Sequence, residues 1–282
     1  MLHELPREPW ALHGHFSREL EPVLTVDPGD SVRFSVPDAE WYVAPGDRLE
    51  IDEAEYEGHA LAGPVEVRGG RAGATLAVRI DEVRPAARGA TWVGDGEIAW
   101  ELDGDVGRAL GRTVRLAPFL GVLGMPPPRP GRHPTIPPRR WGGNIDCKEL
   151  VAGTTLFLPI SVDGARFSAG DGHAAQGDGE VCGTAIEAPV EAQVTLDLRA
   201  DFPLEWPVAR IDGAWLTFGF DEHLGRAAKI AVDGMVALMV REHGLSNREA
   251  LGFASVVVDL RVTQVVNGVL GVHAVLRDDA IR

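Results

Sequence analysis

Cysteine is scarce in this sequence, and its scarcity argues against one class of protein. The chain has 282 residues and two cysteines, Cys147 and Cys182. Small secreted domains held together by disulfides have many more cysteines in a shorter chain. We therefore expect no disulfide framework, and we expect Cys182 to be a small residue of the core.

Long apolar runs are also missing. No stretch approaches the roughly 20 consecutive apolar residues that a membrane-spanning helix needs. The segment MLHELPREPWALHGHF at 1–16 contains no apolar region of the length found in secretory signal peptides. We therefore expect no membrane partner and a cytoplasmic location.

Positive charge is in short supply. The chain has 27 Lys and Arg residues against 42 Asp and Glu residues, which gives a net charge of −15. A surface of this sign repels phosphate, so we expect no nucleic-acid partner. Hydrophobic residues make up 45% of the chain, which is enough to build a substantial core in one large domain or two ordinary ones.

Alternation of polar and apolar residues predicts β-structure over residues 1–120. Ser31–Val36 alternates directly after a Pro-Gly-Asp turn at 28–30. Similar short runs occur at 76–80, 98–102, 113–116 and 190–198. Many short strands separated by Gly, Pro and Asp turns indicate a β-sandwich or jelly roll.

The last third of the sequence adds helix to this pattern. Asp221 could cap a helix that has one apolar face and ends at Gly244, and Ser246 with Glu249 forms a capping box for a second, short helix. Residues 256–266 return to strand. We predict a mainly β fold, sandwich-like or jelly-roll-like, with a smaller α+β C-terminal part that contains one main helix. Its parts are an N-terminal β part (1–120), a Pro-rich connector (121–143) and a C-terminal part with the site (144–282), or one continuous domain.

The connector is rich in proline and arginine. Pro-rich segments cannot form a helix or a central strand and most often act as extended spacers. We favour a linker with solvated arginines over the alternative, a strap beside the site. The arginines are Arg129, Arg132, Arg139 and Arg140.

The stretch from 142 to 187 concentrates acidic, histidine and glycine residues. An apolar run at 156–160 predicts a strand between two polar loops, 144–148 and 170–180. Polar loops joined by strands can meet in space and build a site on a sheet. Glycines such as Gly172 suggest tight turns or close backbone approach to a bound substrate. Trp141, next to Gly142, is a candidate for lining the substrate pocket.

Several side chains of this stretch suit metal-assisted hydrolysis. Asp146, Asp171 and His173 form a workable ligand set with one position left open for water. A divalent ion there would lower the pKa of bound water and polarise a carbonyl group. Glu180 is the candidate general base, and Asn144 could orient the substrate or stabilise an oxyanion. We favour zinc, with manganese or calcium as alternatives.

Other interpretations of the same residues remain open. Alternating Asp and Gly residues are common in tight turns, so the loops could be purely structural. Cys147 beside Lys148 could supply a thiolate nucleophile with Glu180 as its base, although neighbours on a strand point in opposite directions. His13 and His15 could reach the site, but near a chain start they are more often surface residues.

Several segments resemble the acetamidase/formamidase family, and the resemblance covers most of the chain. They are PFLGVLG at 118–124, GGNIDCKEL at 142–150, TTLFLPI at 154–160, GARFSAGDGHAAQGDGEVCGTAIE at 164–187 and DLRVTQVVN at 259–267. The resemblance implies a mainly β sandwich that uses a divalent metal to hydrolyse short linear amides, such as formamide or acetamide, to ammonia and a carboxylate. The matching motif positions are Asn144, Asp146, Asp171, His173 and Glu180.

The chain departs from this family over residues 37–60, where longer members carry an insertion-rich segment. Pocket shape depends on such segments, so hydrolysis of another small or cyclic amide is the alternative activity. A non-catalytic β-sandwich binding protein is the third possibility, and it requires Asp146 and His173 to lie far apart. We expect a homo-oligomer, with a homodimer as the default for such enzymes.

Overall fold

The computed structural model describes residues 1–281 and confirms a mostly β protein, with 45% strand and 14% helix. The strands in chain order are β1 (Leu2–Leu5), β2 (Leu12–His13), β3 (Leu24–Val26), β4 (Asp30–Val36), β5 (Tyr42–Ala44), β6 (Asp47–Arg48), β7 (Leu61–Val67), β8 (Thr75–Pro85), β9 (Arg88–Val93), β10 (Gly96–Asp103), β11 (Val106–Ala109), β12 (Arg112–Arg115), β13 (Phe119–Gly124), β14 (Gly142–Asn144), β15 (Thr155–Pro159), β16 (Phe167–His173), β17 (Val190–Arg199), β18 (Val208–Ile211), β19 (Ala214–Asp221), β20 (Val258–Gln264) and β21 (Leu270–Arg277). The α-helices over these residues are α1 (Leu224–His243) and α2 (Asn247–Val257).

The strands form two large sheets and two small ones. The largest sheet has the order β1-β4-β17-β8-β15-β18-β19-β21-β20. A six-stranded sheet has the order β14-β13-β16-β7-β2, with β3 paired to β7. The order β12-β11-β10-β9 makes a four-stranded sheet, and β5 pairs with β6. Sequence neighbours are often not sheet neighbours, so most pairings join distant parts of the chain.

The main core lies between the largest sheet and the six-stranded sheet. The alternation predicted for 31–36 is confirmed, because Val32, Phe34 and Val36 are all fully buried on one side of β4. Phe34 meets Phe167 of β16 edge to face, with ring centroids 6.3 Å apart. Two apolar sheet faces packed in this way bury the surface that stabilises a sandwich.

Helix α1 packs on the largest sheet, where small residues allow a close approach. A Cβ atom at Gly219 of β19 would lie 2.6 Å from the backbone nitrogen of Ala231. Thr217 of the same strand donates its hydroxyl proton to the carbonyl of Ala231 at 2.7 Å. Among the described residues, no helix is both long and apolar enough to cross a membrane.

The helix boundaries agree with the sequence prediction at two ends of four. Gly244 ends α1 with φ 66°, and Ser246 with Glu249 forms the expected capping box of α2. The N-cap of α1 is His223 rather than Asp221, which still belongs to β19 and accepts a hydrogen bond from the His223 amide at 2.9 Å. Helix α2 also continues to Val257, so the predicted strand at 256–266 begins two residues later, at 258.

The proline-rich segment connects β13 to β14 and is held against the N-terminal part of the chain. Backbone hydrogen bonds in both directions join His133 to Phe16. Arg132 pairs with Glu55 at 2.8 Å, while Arg129 is exposed. At least one arginine of the segment therefore has a carboxylate partner.

Candidate metal centre

Three neighbouring strands of the six-stranded sheet form the base of the candidate site, and two of them, β14 and β16, carry Asn144, Asp171 and His173. Strand β13 lies between β14 and β16, and it places Val122 opposite Asn144 and Phe119 opposite His173. The prediction that 170–173 is a loop is wrong, because Phe167–His173 is a fully buried strand. The glycines there reflect close packing: a Cβ at Gly172 would lie 2.6 Å from the carbonyl oxygen of Ala188. That packing alone accounts for glycine at position 172.

The carboxylates of Asp146 and Asp171 converge above Gly121 of β13. A Cβ atom at Gly121 would lie 2.6 Å from Oδ1 of Asp146 and closer still to Oδ2 of Asp171. Both aspartates are at most 2% exposed. Two carboxylates so close and so buried repel each other, so they need a proton or a cation between them.

Left-handed backbone occurs at three of the polar residues. The φ angles are 52° at Asp146, 60° at Asp171 and 46° at Glu180. This region is unfavourable for residues other than glycine and is often found where a site needs a fixed side-chain direction. The local backbone therefore aims these carboxylates in directions that a regular strand would not give.

The imidazole of His173 faces two carboxylates. Its Nε2 atom lies 3.3 Å from Oδ1 of Asp171 and 3.2 Å from Oε1 of Glu187. On the other side of the ring, Nδ1–H donates to Oε1 of Gln176 at 2.9 Å, and Nε2 of Gln176 donates to the carbonyl of Asp146 at 2.8 Å. The glutamine thus fixes the ring so that Nε2 points at the acidic groups.

Two overlapping groups of possible metal ligands share His173. One consists of Asp146, His173 and Glu180, and the other of Asp171, His173 and Glu187; within each, the ligand atoms lie within 4.8 Å of one another. The structure therefore brings Asp146 and His173 together, contrary to the condition for a purely structural role.

Glu187 has a place in the cluster that sequence reasoning did not assign. It belongs to the same polar stretch, but it lies 14 positions after His173 and has no periodic relation to that residue. An antiparallel bridge between His173 and Glu187 brings the two side by side. Asn267 was also missed: its Nδ2 donates to Oδ2 of Asp146 at 2.6 Å from the loop after β20.

The buried charges shift one another's pKa values. Burial raises the pKa of Asp146 well above its ordinary value, and Glu180 and Asp171 reinforce the shift. Burial raises the pKa of Glu180 to about 8, opposed by His173 and assisted by Asp171 and Glu187. For His173, burial acts to lower the pKa, but Glu187 and Asp171 outweigh it and raise the pKa well above the ordinary value. Such strongly shifted groups are typical of functional sites.

Three buried oxygen atoms of this region have no hydrogen-bond partner among the described residues. They are Oδ1 of Asn144, Oδ1 of Asp146 and Oε2 of Glu187. Unpaired buried oxygens are costly unless an ion or a water molecule satisfies them. Their presence beside an oriented imidazole fits a divalent cation, which prefers carboxylate oxygen and imidazole nitrogen ligands.

The remaining predicted side chains lie outside this cluster. Trp141 is half-buried against the main core, and the guanidinium of Arg140 lies 5.8 Å from its ring centroid. His13 and His15 are buried rather than on the surface, because His13 bonds to Ser168 at 2.9 Å and His15 to Glu55 at 2.9 Å.

The two cysteines differ in their surroundings. Cys147 is fully buried in the main core, and Lys148 points away from it to pair with Asp178 at 3.0 Å. A thiol without access to solvent is a poor nucleophile for a substrate. The prediction that Cys182 belongs to the core is wrong: it is exposed, in a turn beside Gly183, whose φ is 91°.

A cavity of about 660 Å³ lies next to the cluster. On one side it is bounded by residues between Asp38 and Gly46, which belong to the 37–60 region where the sequence departs from the family. On the other side it is bounded by Trp92 and Trp100 of the four-stranded sheet. Ala90 lies at the edge of the cavity, and its backbone amide donates a hydrogen bond to the carbonyl of Glu187 at 2.9 Å. Burial raises the pKa of Asp38 to about 7, and the Glu187 charge contributes to that shift.

The segment that carries this cluster is similar in sequence to a known protein family. Residues 130–209 match the model of the Acetamidase/Formamidase family. This segment carries the acetamidase/formamidase signature. The matched residues include Asn144, Asp146, Asp171, His173, Glu180 and Glu187.

Individual relatives are similar to this chain in sequence over short segments, and a solved structure is similar to it over the whole fold. An acetamidase of Mycolicibacterium smegmatis is 53% identical over 55 residues, 19% of this chain and 13% of that protein. A formamidase of Methylophilus methylotrophus is 49% identical over 69 residues, 24% of this chain and 17% of that protein. A solved acetamidase structure from Bacillus halodurans superposes with a TM-score of 0.87 at 27% identity and covers 97% of both chains. The matched segments thus span less than a fifth of the curated relatives' length.

Proposed function

We propose that this protein hydrolyses short linear amides, of the size of formamide or acetamide, to ammonia and a carboxylate. The observation that carries the proposal is the convergence of Asp146 and Asp171 above Gly121, with Nε2 of His173 facing the same space. The acetamidase/formamidase signature in this segment gives the amide as the substrate class. A metal-dependent reaction requires these side chains to meet at one point, whereas loops with a purely structural role do not.

Asp146, Asp171 and His173 would hold a divalent cation, with Glu180 and Glu187 at its edge. The donor set fits, since it offers an unpaired carboxylate oxygen and an imidazole that Gln176 already orients. When bound, the cation would supply Lewis-acid polarisation of the amide carbonyl and a lower pKa for an attacking water molecule. One imidazole with carboxylates suits zinc or manganese, and we favour zinc, with calcium as a further candidate.

Glu180 would transfer protons during the reaction, and Asn144 would align the substrate. Burial and like charges already bring the pKa of Glu180 to about 8, in the range where a carboxyl group can both accept and return a proton. Its carboxylate would take the proton of the attacking water and pass it to the leaving nitrogen. Oδ1 of Asn144 has no hydrogen-bond partner among the residues that the structure describes, so it can accept the amide N–H and align the carbonyl for attack.

The experiment is an ammonia-release assay on purified protein beside an elemental analysis. We expect ammonia from formamide or acetamide, loss of activity on dialysis against a chelator, and recovery on addition of zinc or manganese. His173→Gln should lose the metal of this centre and the activity, whereas the exposed His243→Gln should keep both. A metal-replete sample that releases no ammonia from any short amide contradicts the proposal.

The cavity beside the cluster favours a second substrate class. A volume of about 660 Å³ is in the range of pockets for ligands much larger than formamide, and indole rings line it. Trp141 and Gly172 remain candidates for substrate contact from the sequence, but neither lines this cavity. A panel of formamide, acetamide, longer linear amides and small lactams separates the classes. A wide preference for acetamide rejects the larger substrate.

We also propose a cytoplasmic homodimer, in keeping with the symmetry most common among soluble enzymes. Light scattering of the purified protein measures the mass of the assembly. A mass near the 30.2 kDa of the single chain at all concentrations rules out the dimer.

A further inference from the structure

A second group of potential ligands lies behind the candidate metal centre. Cys147 and Glu149 follow β14 on one loop, and His273 lies in β21 of the largest sheet. Sγ of Cys147 donates to Oε2 of Glu149 at 3.2 Å, and Nε2 of His273 lies 3.7 Å from the same oxygen. The three ligand atoms all lie within 4.8 Å of one another.

The imidazole of His273 is held with one nitrogen aimed into this group. Its Nδ1 shares a hydrogen bond with Oγ1 of Thr263 at 2.8 Å. With the ring proton on Nδ1, Nε2 has a free lone pair that can bind a cation. The residue is 0% exposed, and Nε2 has no hydrogen-bond partner among the described residues. Metal-binding histidines are typically oriented in this way by a hydrogen bond at the far nitrogen.

The carboxylate of Glu149 is oriented as well. Arg261 of β20 donates to Oε1 at 2.9 Å, so the carboxylate is fixed and Oε2 turns toward the sulfur and the imidazole. An arginine on one carboxylate oxygen leaves the other oxygen available as a ligand. Two of the three candidate ligands, Glu149 and His273, are thus held in place by groups that do not belong to the site.

We propose that Cys147, Glu149 and His273 form a second site for a divalent cation of borderline softness, with Zn²⁺ as the expected occupant. Sulfur with imidazole selects zinc over magnesium or calcium, which prefer oxygen ligands alone. On binding, the thiol proton leaves to solvent and the thiolate bonds to the cation, so one proton is released.

The position of this site gives it a structural task. Its loop begins directly after Asp146, whose backbone is left-handed, and His273 belongs to a different sheet. A cation there would tie the loop to β21 and hold Asp146 in its aimed conformation. Cys147 and His273 are both fully buried, so we expect the site to bind a cation and no substrate.

The test is the zinc content of the whole chain after saturation with Zn²⁺ and gel filtration. We expect two zinc ions per wild-type chain and one in Cys147→Ser. The exposed Cys182→Ser, the matched control, should keep two. His173→Gln should also keep one, which separates the failure of this proposal from failure of the first centre. Unchanged zinc content in a folded Cys147→Ser overturns the proposal.

Replacing zinc by Co²⁺ gives a second readout that does not depend on counting. Thiolate ligation of Co²⁺ produces a charge-transfer absorption in the near ultraviolet, which carboxylate and imidazole ligands alone do not give. We expect this band in wild type and in Cys182→Ser, and its loss in Cys147→Ser. If Cys147→Ser does not fold, His273→Gln should still show a weakened or shifted band. Wild-type protein without the band rejects the site.

Discussion

A Cβ atom added to Gly121 would lie 2.6 Å from Oδ1 of Asp146, so this glycine makes room for a carboxylate and for no side chain of its own. Position 121 belongs to β13, the strand between the two that supply Asn144 and His173. The absence of a side chain at position 121 thus leaves space for the two carboxylates of the candidate metal centre.

Gly121→Ala should therefore damage the site more than the fold. The added methyl group must displace the carboxylates, and an overpacked position of this kind costs about 1–3 kcal/mol of stability. We expect metal affinity to fall at least about tenfold, since small shifts around ligands have effects of this order. Calorimetric titration with Zn²⁺ measures it. Gly96→Ala is the control, because a Cβ there has only an ordinary contact at 3.5 Å; equal affinity in both variants contradicts the assignment.

Gln176 should act as a positioning residue for His173. Gln176→Leu removes the hydrogen bond to Nδ1 and keeps the approximate volume. We expect metal affinity to fall about 10–100-fold, as for other residues that orient a ligand. Gln176→Glu, which still accepts from Nδ1–H, should restore part of the affinity. If leucine and glutamate behave alike, the hydrogen bond has no role in metal binding.

His13 should make stability depend on pH. Burial lowers its pKa to about 4, while the free side chain has a pKa of 6.5. Between these values His13 is protonated in the unfolded chain but neutral in the folded protein. The free energy of unfolding therefore falls as the pH drops from 6.5 to 4. The loss should reach about 3 kcal/mol.

Urea unfolding at several pH values measures this slope. His13→Gln should flatten it, since glutamine does not titrate. The exposed His243→Gln should leave the slope as in wild type. An unaltered slope in His13→Gln means that other buried groups determine the acid sensitivity.

The capping box of α2 gives a prediction that does not involve the site. Ser246→Ala removes the side-chain acceptor of the Glu249 amide. We expect a loss of about 1 kcal/mol in the free energy of unfolding. Ser255→Ala, at an exposed position of the same helix, should change stability by less than about 0.5 kcal/mol. A similar loss in both variants contradicts a specific contribution of the cap, because alanine has a higher helix propensity than serine and Ser255→Ala should not destabilise the helix.

Local features of the fold were predictable because each depends on neighbours in the chain. The alternation in β4 gives its buried face, and Gly244 and Ser246 give a helix end and a helix start. Features that depend on a distant partner were not predictable. The start of α1 moved from Asp221 to His223 because Asp221 is needed for pairing in β19.

The polar stretch shows the same division in the site itself. Its chemical character and its similarity to acetamidases and formamidases were readable from 142–187, and so were the five polar side chains on the motif. The conformation of 167–173 was not, since its glycines indicated a turn, whereas they serve a strand packed closely against its neighbours. The exposure of Cys182 was missed because it depends on the direction of one turn.

The sequence by itself determined the fold class, the acidic character, the end of α1, the start of α2 and the identity of the polar motif, because these follow from composition, periodicity and adjacent residues. Only the tertiary structure decided that Glu187 and Asn267 join the cluster and that His273 meets Cys147. Those contacts join residues 14 to 126 positions apart through strand pairing and sheet packing, which no local pattern encodes.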